Sequence, residues 1–90
     1  MGRKRIGKLL LRAAETEEGL EMIRKEIASK NLGFDEVVID AMAKIKRAKY
    51  NEHPIEAGRV FLIATEMSIK DATAAAERIA AEYGEDQNVC

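Results

Sequence analysis

From Ile6 onward the apolar residues of this chain return every three or four positions. That is the repeat of a helix's buried stripe, not the two-residue alternation of a half-buried strand. Ile6, Leu9, Leu10, Ala13 and Ala14 make a first stripe, and Leu20, Ile23 and Ile27 a second. Between them, Thr16 followed by Glu17 and Glu18 has the form of an N-cap with acids in the first turn, and Gly19 weakens helical continuity. The spacing therefore predicts a break near residues 15–17. Asn31 and Gly33 are residues that commonly end a helix, and they follow Lys25 and Lys30.

A third segment opens with Asp35 and Glu36 and closes with Lys44, Lys46, Arg47 and Lys49, an order that complements a helix dipole. Its stripe is Val38, Ala41 or Met42, Ile45 and Ala48. The stretch Asn51, Glu52, His53, Pro54 reads as a loop, because the residue before a proline is pushed out of the helical region. Pro54 itself suits the first turn of a further helix. Residues 60–63 form an unbroken apolar run, and the framing by Pro54, Glu56 and Arg59, with Ala57, Ala64 and Met67 continuing the spacing, predicts helix there. Ser68 and Asp71 stand as a capping box before the run from Ala72 to Tyr83, which Gly84 closes. Ile69, Ala72, Ala76, Ile79, Ala80 and Tyr83 form its inner face, small enough for a close helix neighbour.

The expected fold is all-α, a compact bundle of four to five short helices. The alternative is α+β with a short two-stranded sheet near residues 36–40 and 59–64, since Val37, Val38 and Ile39 also read as a strand. Ninety residues make a single domain, assigned to residues 1–84 with a tail over 85–90. One proline and six glycines are too few for the turns of an all-β sandwich. Phe34, Phe61, Tyr50 and Tyr83, without tryptophan, build neither a base-stacking platform nor an aromatic cage. A lone cysteine, Cys90, excludes an intrachain disulfide and a thiolate metal cluster, and fits a reducing, cytoplasmic setting. Arg12 and the acids after it interrupt the N-terminal apolar stretch, so it does not read as a signal peptide, and no segment reaches membrane-spanning length.

The charges are sorted into blocks. Residues 1–12 hold five bases and no acid, residues 13–36 three bases against seven acids, residues 37–50 four against one, and residues 51–90 three against eight. A small surface polarised in this way usually meets something charged. The candidate anion- or partner-binding residues are therefore Arg3, Lys4, Arg5, Lys8 and Arg12 in one block and Lys44, Lys46, Arg47 and Lys49 in the other. For the second block, dipole complementation and a solvated face is the plainer explanation. The first block has no such explanation. It would track nucleic-acid phosphates, with poor specificity and with help from Lys44 to Lys49, or contact an acidic protein surface such as the acidic half of another copy of this chain, or, less in keeping with the pattern, an anionic membrane into which Ile6, Leu9 and Leu10 insert.

A helix-turn-helix over residues 57–80 is the sharpest alternative, resting on Ala64, Ser68, Ile69, Thr73 and Ala74. Two ordinary core helices joined by a short turn share that pattern. The turn lacks a glycine, and the recognition helix would present Asp71, Glu77 and Glu82 against Lys70 and Arg78, a poor phosphate surface. Catalysis has little to stand on. His53 is the only histidine and reads as a helix N-terminal residue, and the acidic pairs Glu17 with Glu21 and Glu52 with Glu56 read as solvated. None of the glycines has phosphate-loop spacing, and nothing near Cys90 lowers its pKa. Met22, Met42 and Met67 read as core filling before they read as an adaptable groove. The sequence thus points to a non-catalytic protein-interaction, assembly or regulatory module without cofactor or metal. Its partner would be another protein or a second copy in a homo-oligomer, with nucleic acid as the alternative.

Overall fold

The computed structural model describes residues 2–30 and 35–84. They form five helices and, among these residues, no strand: α1 (Gly2–Ala13), α2 (Glu17–Lys30), α3 (Asp35–Asn51), α4 (Pro54–Thr65) and α5 (Ile69–Tyr83). The all-α expectation holds. The α+β alternative is wrong, because residues 36–40 lie inside α3 and residues 59–64 inside α4. The apolar run at 60–63 is not a buried strand but a helix packed on two sides. Val60 and Phe61 are buried, Leu62 is half-buried, and Ile63 points outward at 68% exposure. The expected helix end at Asn31 and Gly33 and the expected tail at 85–90 lie outside the described residues.

The helix boundaries are set by local chemistry. At the start of α2 the Thr16 hydroxyl accepts the Gly19 N–H at 2.9 Å, which is the N-cap expected from sequence. The same oxygen lies 3.3 Å from the Tyr83 carbonyl and 3.4 Å from that of Ala13, so its single hydrogen ties the α1–α2 turn either to α1 or to the end of α5. At α5, Ser68 Oγ accepts the Asp71 N–H at 3.1 Å. The end of α3 is a Schellman motif with Glu52, not glycine, in the left-handed position at φ 56°. The His53 N–H reaches the Ala48 carbonyl at 2.7 Å and the Glu52 N–H the Lys49 carbonyl at 3.1 Å. Glu66 takes the same role after α4 at φ 58°, its N–H donating to the Leu62 carbonyl at 2.8 Å. Gly84 is extended at φ −71°, so it is no left-handed cap. A Cβ there would strike the Ala80 carbonyl and the Arg12 side chain.

At the centre of the bundle, α1 packs most extensively on α4 and then on α5, while α3 also packs on α4. A Cβ built on Gly7 would collide with the backbone of Pro54, and one built on Gly58 with the backbone of Arg3. These pairs show α1 and α4 crossing antiparallel, backbone against backbone, at two glycines four residues from their partners' contact points. An approach this close admits no side chain, and it leaves Cα–H groups facing carbonyls. Phe61, wholly buried, is the largest side chain of the core, and Ile6, Leu10, Ile23, Ile27 and Ile45 are wholly buried with it. Ile69, expected on the inner face of α5, is half exposed, and Ala75 takes a buried place instead. Met22, Met42 and Met67 are half-buried and packed against this core, in keeping with gap filling. Thr65, the buried polar side chain, is satisfied: its hydroxyl donates to the Phe61 carbonyl at 2.7 Å and accepts the Met67 N–H at 3.3 Å.

Candidate partner-binding surface

Helical periodicity divides the first basic block between two faces of α1. Arg5 turns toward α5 and pairs with Glu77 at 2.8 Å, and Arg12 lies against Gly84 at the end of α5. Lys4 lies about 100° round the helix from Arg5, on the edge of the exposed arc nearer α4, with exposed Lys8 between them. In the second block, Lys44 pairs with Asp40 one turn earlier on α3 at 3.0 Å, and Lys49 crosses to Glu15 in the α1–α2 turn, also at 3.0 Å. Among the described residues no carboxylate pairs with Arg3, Lys4, Lys8, Lys46 or Arg47. Away from both blocks, on α2, the Arg24 side chain hydrogen-bonds Glu21, holding that carboxyl below the usual range and raising the guanidinium.

The packing of α1 and α3 against α4 brings part of both blocks to one place. Lys4 from α1 faces Lys44 and Arg47 from α3 across an open cavity of about 670 Å³. Its apolar lining is Ala48, Pro54 and Ile55, and Asn51, His53 and Glu56 complete the rim. Lys44 and Arg47 share this side of α3 because they are three residues apart. Glu56, the acid of the lining, is engaged by Arg59 at 2.9 Å along its own helix. Lys4 and Ile55 also line a smaller hollow with Gly2, Arg3 and Ile69, so basic and apolar surface runs continuously from the end of α3 to the start of α5. Ile55 is 54% exposed and Ile69 50%. Lys8, Lys46 and Lys49 line neither depression, and Arg5 and Arg12 face α5.

Sequence reasoning missed Ile55 as a surface residue beside Lys4. The available signal was its place in the row Ile55, Arg59, Ile63 at four-residue spacing, which is the exposed row of an otherwise enclosed α4. The anionic-membrane alternative for the first block fails. Ile6, Leu9 and Leu10, the residues that would insert, are buried in the core. No described helix is long and apolar enough to cross a membrane.

The segment read as a helix-turn-helix is two helices joined by the turn at residues 66–68, but α4 packs mainly on α1 and α3 and touches α5 little. The exposed side of α5 displays Asp71, Glu77 and Glu82 with Lys70 and Arg78. Glu77 is held by Arg5, and Arg78 reaches Glu26 at 3.2 Å. Such a surface offers a polyphosphate little counterion to release. His53 sits at the N-cap of α4, exposed, without a side-chain capping bond. The described residues contain no group of three His, Cys, Asp or Glu side chains placed to hold a metal ion. Comparison with protein-family models, with curated proteins and with solved structures returns no match for this chain.

Proposed function

We propose that this chain is a non-catalytic protein-interaction or assembly module of the cytosol, acting through the mixed basic and apolar surface where α1, α3 and α4 meet. One observation carries the reading. Lys4 and Arg47, without carboxylate partners among the described residues, stand beside exposed Ile55, and that surface continues to Ile69. Exposed aliphatics among cations suit a protein partner, since burying them is favourable on association and the charges set orientation and encounter rate. A phosphate track has no use for isoleucine.

The test is lysine-directed cross-linking in cells, with light scattering and duplex-DNA anisotropy on the pure protein at low and moderate salt. Recurrent links from Lys4 and Lys44 to one protein, or to a second copy with a mass above one chain, support the module. Salt-sensitive DNA binding that charge reversal at Arg3, Lys4 and Arg5 abolishes overturns it. That nucleic-acid reading is kept as the second one because Arg3, Lys4, Lys8, Lys46 and Arg47 lack carboxylate partners among the described residues, leaving charge available to phosphates.

A further inference from the structure

We infer that the cavity between α1, α3 and α4 is a docking cleft for a short acidic peptide segment carrying an aliphatic anchor, supplied by a separate protein. The inference rests on the interaction-module reading and names the chemistry of the partner. Three features select that occupant. The first is size: about 670 Å³ lies within the range of roughly 300–1,000 Å³ typical of ligand pockets, room for one anchored side chain and its flanking backbone. The second is charge. Lys4 and Arg47 approach from different helices, so a peptide lying across the cleft meets a cation on each side. Arg47 can hold a carboxylate with two parallel N–H bonds. Lys44 adds a third positive group, already shared with Asp40.

The third feature is the apolar part of the lining. Pro54 and Ile55 offer a carboxylate nothing, but they shed water when an aliphatic side chain covers them, whereas Ala48 is already buried at 2% exposure. Acids on the flanks argue against a long polyanion. Asp40 lies one turn before Lys44, Glu56 stands on the rim, and exposed Glu52 is next to His53. A duplex backbone crossing the cleft would meet them, whereas a short peptide places its few carboxylates on the cations alone.

The experiment is anisotropy with labelled synthetic peptides: a short Gly/Ser segment with one Glu on each side of a central Leu, the same segment with Ser for Leu, and the Leu peptide with Lys for both Glu. Duplex DNA serves as the competing probe and light scattering reports self-association. The variants are Lys4→Glu with Arg47→Glu, and Ile55→Ser, all at exposed positions, with circular dichroism confirming that they fold. The expected result is binding of the Glu–Leu peptide above the Glu–Ser peptide. The double reversal weakens it by about ten-fold or more, and the Lys peptide binds the reversed protein in its place. Ile55→Ser removes the preference for Leu.

Equal binding of the Leu and Ser peptides, or no effect of Ile55→Ser, overturns the cleft. So does failure of the Glu–Leu peptide to bind. If that failure accompanies self-association that the double reversal dissolves, a second copy occupies the face and the interaction-module reading stands. If it accompanies a monomer that binds DNA with Ile55→Ser indifferent, both readings fall.

Discussion

Helix α1 shows two unlike surfaces a few ångströms apart. On one side α1 meets α4 so closely that backbone touches backbone, Gly7 against Pro54 and Arg3 against Gly58, with Ile6 and Leu10 wholly buried. On the other, Lys4 stands over an open cavity beside Ile55. The first surface tolerates nothing added, because an interior packed to crystal density has no slack. The second tolerates much, because solvent fills whatever a side chain vacates. One helix can therefore hold the bundle together and offer charge to a partner, with the two tasks separated by helical phase.

The comparison is broken first at Phe61. Phe61→Ala, at the wholly buried aromatic of the central pair, should cost about 3–5 kcal/mol through lost burial and the cavity left behind. Chemical denaturation would show this as a large fall in midpoint at an unchanged slope. Gly7→Ala and Gly58→Ala each gain about 1 kcal/mol of helix propensity yet force α1 and α4 apart. The expected net loss is about 1–3 kcal/mol, in the range of overpacked cores. A stabilised Gly7→Ala protein would show that the crossing can open freely.

Thr16→Ala removes the α2 cap and the hydroxyl between α1 and the end of α5, so a loss of about 1 kcal/mol is expected, read by thermal melting. Glu66→Gly relieves a left-handed backbone and should stabilise by up to about 1 kcal/mol, since the relief of roughly 1–2 kcal/mol is offset by the greater entropy glycine loses on folding. The smallest effect sharpens the contrast from the other side. Lys4→Glu with Arg47→Glu, or Ile63→Ser, should move stability by no more than about 0.5 kcal/mol, because these side chains are exposed. A large loss at any of them would mean that the open face is part of the core.

Much of the fold was legible before the structure. The break at residues 15–17, the start of α4 at Pro54 and the cap at Ser68 are each written in a few adjacent residues, and the stripes Val38, Ala41, Ile45, Ala48 and Ala72, Ala76, Ile79, Ala80 are buried as the periodicity implies. The glycine crossing was not read, although it left a trace. Two glycines inside helices each cost about 1 kcal/mol of propensity, and a packing reason is the usual explanation. The sequence suggests close approach instead at the alanines of α5. Glu52 and Glu66 as left-handed caps were invisible, because nothing in a glutamate's own preference announces that conformation.

For the candidate site the division follows the same line. Which residues are basic, and that they come in two blocks, is a property of the chain alone. Helical phase, also local, separates Lys4 from Arg5. That Lys4 faces Lys44 and Arg47 over Ile55, while Arg5 and Lys49 are taken up by Glu77 and Glu15, was decided by how α1 and α3 pack against α4. Local periodicity dictates each helix and its buried stripe because both are set by neighbours within a turn or two. The meeting of residues some forty positions apart depends on which pair of helices can approach most closely, and here two glycines made that choice.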